Sequence, residues 1–565
     1  MAELHKSTTP RKLQVSRYFT PFLATYLIGA VTLASDANPY APLDEPATLP
    51  LEGTIKIIGT DLVVVDHHKD SWLPSTGPTL PVMEFDVITV GRSVVPRSRS
   101  LQITTHFLFD YIVSPGKSWS DGDQNWASLP FTLIHRWVSC THNGLLKFRF
   151  DETQIDQASV RIDQETCHFH KFDMNGDVHV EFVLNSADDS ADIQQQFLEE
   201  TENRLTTASF EDFTAKYEVN AEDFLSGLPL DDDLAVAGIF FEGVHYRTDC
   251  RTRSEPYPYC DHMLLTSFST AKSVFPPLVL MHLSLGKETP VNDEYVFAYL
   301  PEAEDSPGIW DNVTFDHLVD MTSGNFEVDS PLLDPAPGNF YGLIDSAAKL
   351  EEALSWENGA EAGTRFIYQT ADTYILVTAL DRFLQTNDYG YSDSFAFVTD
   401  RIYSQLQLSP GVLATRRTNE ADQVNTGRAY GGYGMWWDTD SIVKLAKFML
   451  LDDGMVGQES LLETSTLDAT LQKLASDRGV DTRVGGWRYN NGMWAIPAHN
   501  FVDDLEDCET WVPNMSGLSG VRVFLMPNGL IFYYFNDALL FPFQPAVSAS
   551  NRVSSMCTSD SEENP

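Results

Sequence analysis

The hydrophobic pattern of this 565-residue chain changes period near residue 205, and that change limits the folds open to it more than any other feature. From about Leu49 to Leu184 short β-branched, alternating runs dominate, among them Thr54-Ile-Lys-Ile-Ile58, Leu62-Val-Val-Val65 and Val178-His-Val-Glu-Phe-Val183. Gly, Pro, Asp and Asn separate them, which is the texture of half-buried strands joined by turns. From Phe210 to Phe543 long helical periods mix with strands, as in Ile442–Leu450 behind the capping candidate Asp440. A polar, helix-prone stretch from Asp192 to Leu205 carries few breakers and connects the two textures. A chain of this length exceeds what one core usually serves. The expectation is a β-rich accessory domain over 38–205, an α+β domain over 206–545, and a Ser- and Glu-rich disordered tail over 546–565, tied down only through Cys557.

Lys6, Arg11, Lys12 and Arg17 precede an apolar stretch from Tyr18 to Ala34, with small residues at Ser35 and Ala37, the layout of an export signal over 1–37. Pro21, Thr20, Thr25 and Thr32 make this stretch a poor membrane span, although an uncleaved anchor stays open as an alternative. Six cysteines, an even number without a CxxC pair, suit disulfides in an exported protein, periplasmic or secreted. Cys250 and Cys260 bracket a short loop and are the expected pair, while Cys140, Cys167, Cys508 and Cys557 leave three connectivities. Acidic residues outnumber basic ones by 81 to 37, a net charge of -44 that repels nucleic acid and anionic headgroups. No nucleic-acid partner is expected, and a membrane only if the leader is kept as an anchor.

His67, His68, His168 and His170 raise the question of a metal, but no matching ligand cluster stands at a recognised spacing, so no metal or cofactor is expected.

Five Ser-x-x-Lys motifs begin at Ser114, Ser269, Ser284, Ser346 and Ser441. A serine nucleophile assisted by a lysine needs the pair on one face at the start of a helix, where residues three apart meet. Ser114 and Ser284 carry turn residues inside the motif, and Ser346 and Ser441 fall within ordinary helices. Ser269 alone follows an apolar approach, Leu264-Leu-Thr-Ser-Phe-Ser269-Thr-Ala-Lys272.

With those residues the chain resembles the penicillin-recognising, β-lactamase-like serine hydrolases, most of all the 6-aminohexanoate-dimer hydrolase and esterase branch. Further segments match in order: Asn312 to Gly324 with its Thr-Ser-Gly end, Ala362 to Leu376 around Tyr368, Gly431 to Asp440 before a helix, and Met515-Ser516-Gly517 opening a strand. The resemblance spans roughly residues 230 to 543. It implies an antiparallel sheet flanked by helices plus a helical subdomain, with Ser269 as nucleophile and Lys272 and Tyr368 sharing the general-base role. The backbone N–H groups of Ser269 and Leu518 would form an oxyanion hole. Thr370, Met515, Ser516 and Gly517 would contact substrate, an ester or amide of small-molecule or peptide-like kind.

Two departures stand out: Thr370 occupies a position where many relatives carry Asn, and Met515 one where penicillin-processing members carry a cation. A substrate carboxylate therefore loses its charged partner, and neutral esters are expected to be preferred. Pro276 and Pro277 shorten or bend the nucleophile helix. A non-catalytic binding or sensor protein is the alternative reading, and a carbohydrate-binding accessory domain using Trp72, Trp119, Trp126 and Trp137 is a third. Asn312 and Asn514 match the glycosylation pattern, the second in a strand where a glycan would block the cleft.

Overall fold

The computed structural model describes residues 38–59, 62–66, 79–163, 167–185, 189–229, 233–253, 256–418 and 427–557. In the first half the strands Gly53–Gly59, Met83–Val90, Ser93–Pro96, Gly116–Asp121, Gln124–His135, Thr141–Phe150, Ile155–Asp163 and Phe172–Leu184 lie side by side in that order, all antiparallel. The last also pairs with the first, Ile55 opposite Phe182, so the sheet closes into a barrel. Closure leaves these strands no open edge to aggregate through. Alternation sets the faces: Ile55 and Ile57 are buried, whereas Thr54 and Lys56 lie in the intermediate range. Phe109, Leu129, Phe131, Phe148 and Val160 complete the barrel core. Burying each large apolar side chain contributes about 1.5–3 kcal/mol.

The connector forms the helix Ser190–Glu202. Its Ile193 packs on Ile88, Val90 and Val95, and Arg97–Asp189 and Arg99–Glu200 ion pairs hold it to the barrel. Beyond it runs a nine-stranded sheet in the spatial order Thr207–Ser209, Val244–Arg247, Leu234–Phe241, Ile531–Asn536, Val521–Leu525, Trp511–Gly517, Met493–Pro497, Arg488–Asn490 and Val480–Asp481. Only its first pair is parallel. One face, with Val236, Val521, Val523 and Phe535, packs in the same apolar cluster as residues of the helices Pro276–Leu283, Thr370–Thr386 and Thr439–Leu450. The other, with Phe524, Phe532 and Tyr534, is covered by Phe210–Tyr217, Ala221–Leu225 and Gln544–Val553.

Ile112, Ile134 and Leu145 of the barrel belong to the same apolar cluster as Leu264, Phe268 and Val274, so the barrel packs directly on the second half. The first part of the tail departs from the expected disorder. Residues 546–553 lie in a helix whose Ala546, Val547 and Ala549 are buried against the sheet, and Cys557 is bonded to Cys508. Its few apolar residues fall on one face, a pattern hidden by its overall polarity. The cap of the helix Thr439–Leu450 is Asp438, whose carboxylate accepts from Ser441 N at 2.7 Å, while Asp440 instead accepts from Leu205 N.

Cys250 pairs with Cys260 as expected, and Cys140 with Cys167. These bonds fit an oxidising, exported setting. Among the described residues no helix is long and apolar enough to cross a membrane. Asn514 is fully buried, which leaves no room for a glycan on its side chain, and Trp119 is buried too. The leader 1–37, His67, His68, Trp72 and the tail residues 558–565 lie outside the described residues.

Candidate active site

Leu265–Thr266 pair with Trp436–Trp437 in a two-stranded ribbon, and Ser267 N donates to Met435 O at 2.9 Å. From the barrel, Asn143 clamps the same segment, accepting from Leu264 N at 3.0 Å and donating to Leu264 O at 2.9 Å. The chain then reverses through Phe268, a bulky residue held at φ 41°, into a 3-10 turn Phe268–Thr270 and the helix Ala271–Val274. Such a left-handed conformation is costly for an aromatic residue and marks functional turns. Pro276 and Pro277 break the helix at Phe275, after which it restarts as Pro276–Leu283, short and bent as the prolines require.

The break leaves Lys272 one turn after Ser269, with its Nζ 2.9 Å from Ser269 Oγ. Three of the other Ser-x-x-Lys motifs have a member engaged elsewhere. Lys349 turns onto the carbonyls of Phe340 and Leu343, Ser284 Oγ accepts from Val291 N, and Ser441 Oγ accepts from Ser409 N. Lys272 is buried and its Nζ also donates to Thr370 Oγ1 at 2.8 Å and Gly432 O at 3.3 Å. A Cβ at Gly432 would stand 3.2 Å from Lys272 Cε and 2.9 Å from Thr370 Cγ2, so only glycine lets the backbone come this close. The ring of Tyr368 lies 4.8 Å from the amine. Burial lowers the Lys272 pKa to about 8, and the charge of Asp334 opposes that shift. Burial and Asp334 both push the Tyr368 hydroxyl up, while its hydrogen bond to Ser269 pulls the other way. Tyr368 is therefore a neutral phenol, not a phenolate, at ordinary pH.

Asp334 was not singled out by sequence. It sits at φ 44° in a loop and binds the start of the helix Thr370–Thr386, accepting from Thr370 N at 2.7 Å and Thr370 Oγ1 at 2.8 Å. That helix has no side-chain cap of its own, so the carboxylate supplies one from 36 residues away. The Thr322-Ser323-Gly324 turn fixes the approach: Ser323 Oγ donates to Asp372 at 3.0 Å, and Ile367 N donates to Met321 O at 3.0 Å.

On the opposite side runs the strand Trp511–Gly517. A Cβ on Gly517 would sit 2.8 Å from Ser267 O and 3.1 Å from Phe268 Cβ, so glycine permits the strand to abut the nucleophile turn. Leu518 follows at once, its side chain exposed. Gly517→Ala is expected to lower turnover at least about tenfold, because a misplacement of roughly 1 Å suffices for such losses. Circular dichroism should show the variant folded, and unchanged turnover would mean that the strand does not need its close approach.

Ser516, Gly517 and Thr370 line the cleft, but Met515 does not. Met515 is fully buried in the apolar cluster that also holds Phe268 and Val274, so it is not a substrate contact. A cation is present one strand over. Arg522 pairs with Ser516 across the ladder, lines the cleft, and is 6 % exposed with Nε and Nη1 lacking hydrogen-bond partners. Trp487, Phe524 and Phe541 lie 5.2–5.8 Å from its guanidinium. Arg522 thus brings to the cleft a guanidinium that the Met515 position does not supply. Among the described residues no group of three or more His, Cys, Asp or Glu could hold a metal.

The cleft has a volume of about 740 Å³ and is lined mainly by apolar and aromatic side chains, Ser269, Tyr368, Thr370 and Asp334 among the polar exceptions. Sheets and helices together build this cleft around a Ser-x-x-Lys turn, and a barrel-like sheet precedes them in the chain. No protein-family model and no curated protein matches the sequence. Among solved structures the chain is similar to a Bacillus anthracis protein assigned as a 6-aminohexanoate-dimer hydrolase, with 14% identity, TM-score 0.43, and 62% of this chain and 86% of that one covered. It is also similar to a D-stereospecific amidohydrolase of a Streptomyces species (16%, TM-score 0.41, 56% and 94%) and a class C β-lactamase of Rhodobacter sphaeroides (16%, TM-score 0.37, 61% and 96%).

Proposed function

We propose that the chain is an exported serine hydrolase that cleaves ester or amide bonds through an acyl-enzyme on Ser269. The observation that carries this reading is the position of Lys272 Nζ, 2.9 Å from Ser269 Oγ at the mouth of a helix and inside a large cleft.

Hydrogen-bond accounting supports it. The Thr370 hydroxyl gives its one proton to Asp334, which leaves it only lone pairs to offer Lys272. A neutral amine has two N–H groups and one lone pair. With the N–H groups directed at Thr370 Oγ1 and Gly432 O, the lone pair faces Ser269 and can take its proton. The Ser269 Oγ–carbon bond then forms as the Oγ–H bond breaks, and Lys272 receives the proton. Tyr368, as a neutral phenol, helps pass that proton to the leaving oxygen or nitrogen as its bond to the acyl carbon breaks. Water deacylates the serine by the same route, the Ser269 and Leu518 N–H groups holding the oxyanion in each half. Thr370 thus serves where relatives use Asn, because Asp334 fixes its direction.

Reaction with a fluorophosphonate probe, followed by mass mapping, tests the reading: the label is expected on Ser269. A protein that takes no label and turns over no acyl substrate would be the non-catalytic binding or sensor protein instead. Asp334→Asn is expected to lower turnover roughly tenfold, a fraction of the about 10²–10⁴ that general acid–base catalysis supplies. It also removes the charge that raises the Lys272 pKa, so the acid limb of the kcat/KM profile should move below pH 8. An unmoved limb would separate Asp334 from the base.

A further inference from the structure

We propose that the barrel supplies one wall of the substrate pocket, and that this wall selects substrates carrying a bulky apolar group, either a long acyl chain or a fused aromatic, beside the scissile bond. This rests on the hydrolase reading, but its walls are visible without it. Two barrel segments, 137–139 and Phe169, line the same cleft as Ser269. Trp137 and Phe169 are 43 % and 41 % exposed and line one apolar cleft, the kind of contiguous exposed patch that marks a ligand-binding groove. Leu332, Leu333 and Tyr341, likewise exposed, line the same cleft.

The wall is built, not incidental. The Cys140–Cys167 disulfide staples the two segments together a few residues from each ring. Behind Trp137, the backbone N–H groups of Trp137 and Val138 donate to His135 Nδ1 at 3.1 and 3.3 Å, and His135 stacks on His170 at 4.7 Å. Trp137 Nε1 donates to Phe107 O at 2.9 Å, which turns the indole's one polar atom away from an apolar guest. On the catalytic side Phe169 stands 6.4 Å from Phe268, the neighbour of the nucleophile, and Thr266 Oγ1 donates to Ser139 O at 2.8 Å. A cavity of about 740 Å³ is of the size that encloses a drug-sized ligand and far exceeds what an acetyl group fills.

Two measurements on the full chain test this. The first is the ratio of kcat/KM for p-nitrophenyl decanoate over acetate, and for 2-naphthyl acetate over ethyl acetate. Trp137→Ala and Phe169→Ala should each reduce at least one ratio about tenfold or more, in line with the roughly 10–200-fold value of small apolar increments in a pocket. The control Val183→Ser, on an exposed barrel position away from the cleft, should leave both unchanged. The second is equilibrium binding of the neutral fluorophore N-phenyl-1-naphthylamine, which needs no chemistry. Binding weakened tenfold in the wall variants, in a protein that hydrolyses nothing, would keep the wall and discard the hydrolase. Active protein whose wall variants match wild type in both ratios and in fluorophore binding would overturn the wall alone.

Discussion

Ser269→Ala is expected to reduce ester turnover by about 10⁴–10⁶-fold, the range seen when an activated nucleophile is deleted, and to abolish fluorophosphonate labelling. The size of the effect follows from position. Ser269 combines a strained turn, a lysine amine at 2.9 Å, the neutral phenol of Tyr368 and a cleft that admits substrate. The same change at Ser114, Ser284, Ser346 or Ser441 should leave labelling intact. Ser284→Ala discriminates most sharply: its hydroxyl accepts from the buried backbone N–H of Val291, so it should cost about 1–3 kcal/mol of stability without touching turnover. Circular dichroism and a denaturation curve on each variant separate the two kinds of loss. Full ester hydrolysis by folded Ser269→Ala protein would sink the mechanism.

What could be read from the sequence was what is local. Ser269 and Lys272 are three apart on one turn, and the pairing of Cys250 with Cys260 spans ten residues, so spacing alone brings them together. Strand texture between 53 and 184 was equally plain, because alternation with period two is written residue by residue. Closure of those strands into a barrel was not, since it depends on Gly53–Gly59 meeting Phe172–Leu184 more than a hundred positions away. The same limit hid Asp334, which reaches Thr370 from a loop of ordinary composition, and Arg522, which is buried among the rings of Trp487, Phe524 and Phe541. That Trp137 lines the same cleft as Ser269 was equally out of reach, because the two are 132 positions apart in the chain. Met515 is enclosed by the apolar cluster around Phe268 and Val274, a placement that motif letters do not carry.

Lys272→Ala should give a folded enzyme slowed by about 10³-fold, within the range general-base catalysis contributes, and the pH profile identifies the cause. In the wild type, burial places the Lys272 pKa at about 8, and only the neutral amine can accept the Ser269 proton. As pH falls below 8 the amine is protonated and kcat/KM should drop tenfold per unit, levelling above 8 where the base is free. Tyr368 cannot produce that limb, because burial holds its hydroxyl above its ordinary value and it stays protonated throughout. The limb should therefore vanish in Lys272→Ala, whose residual rate comes from the oxyanion donors and binding alone. Lys272→Arg sharpens the test. A guanidinium keeps the charge and most of the length but cannot lose its proton in this range, so it should be as slow as the alanine variant. A Lys272→Arg enzyme with near wild-type turnover would show that the residue acts as a cation rather than as a base, and the proton accounting around Thr370 and Gly432 would have to be abandoned.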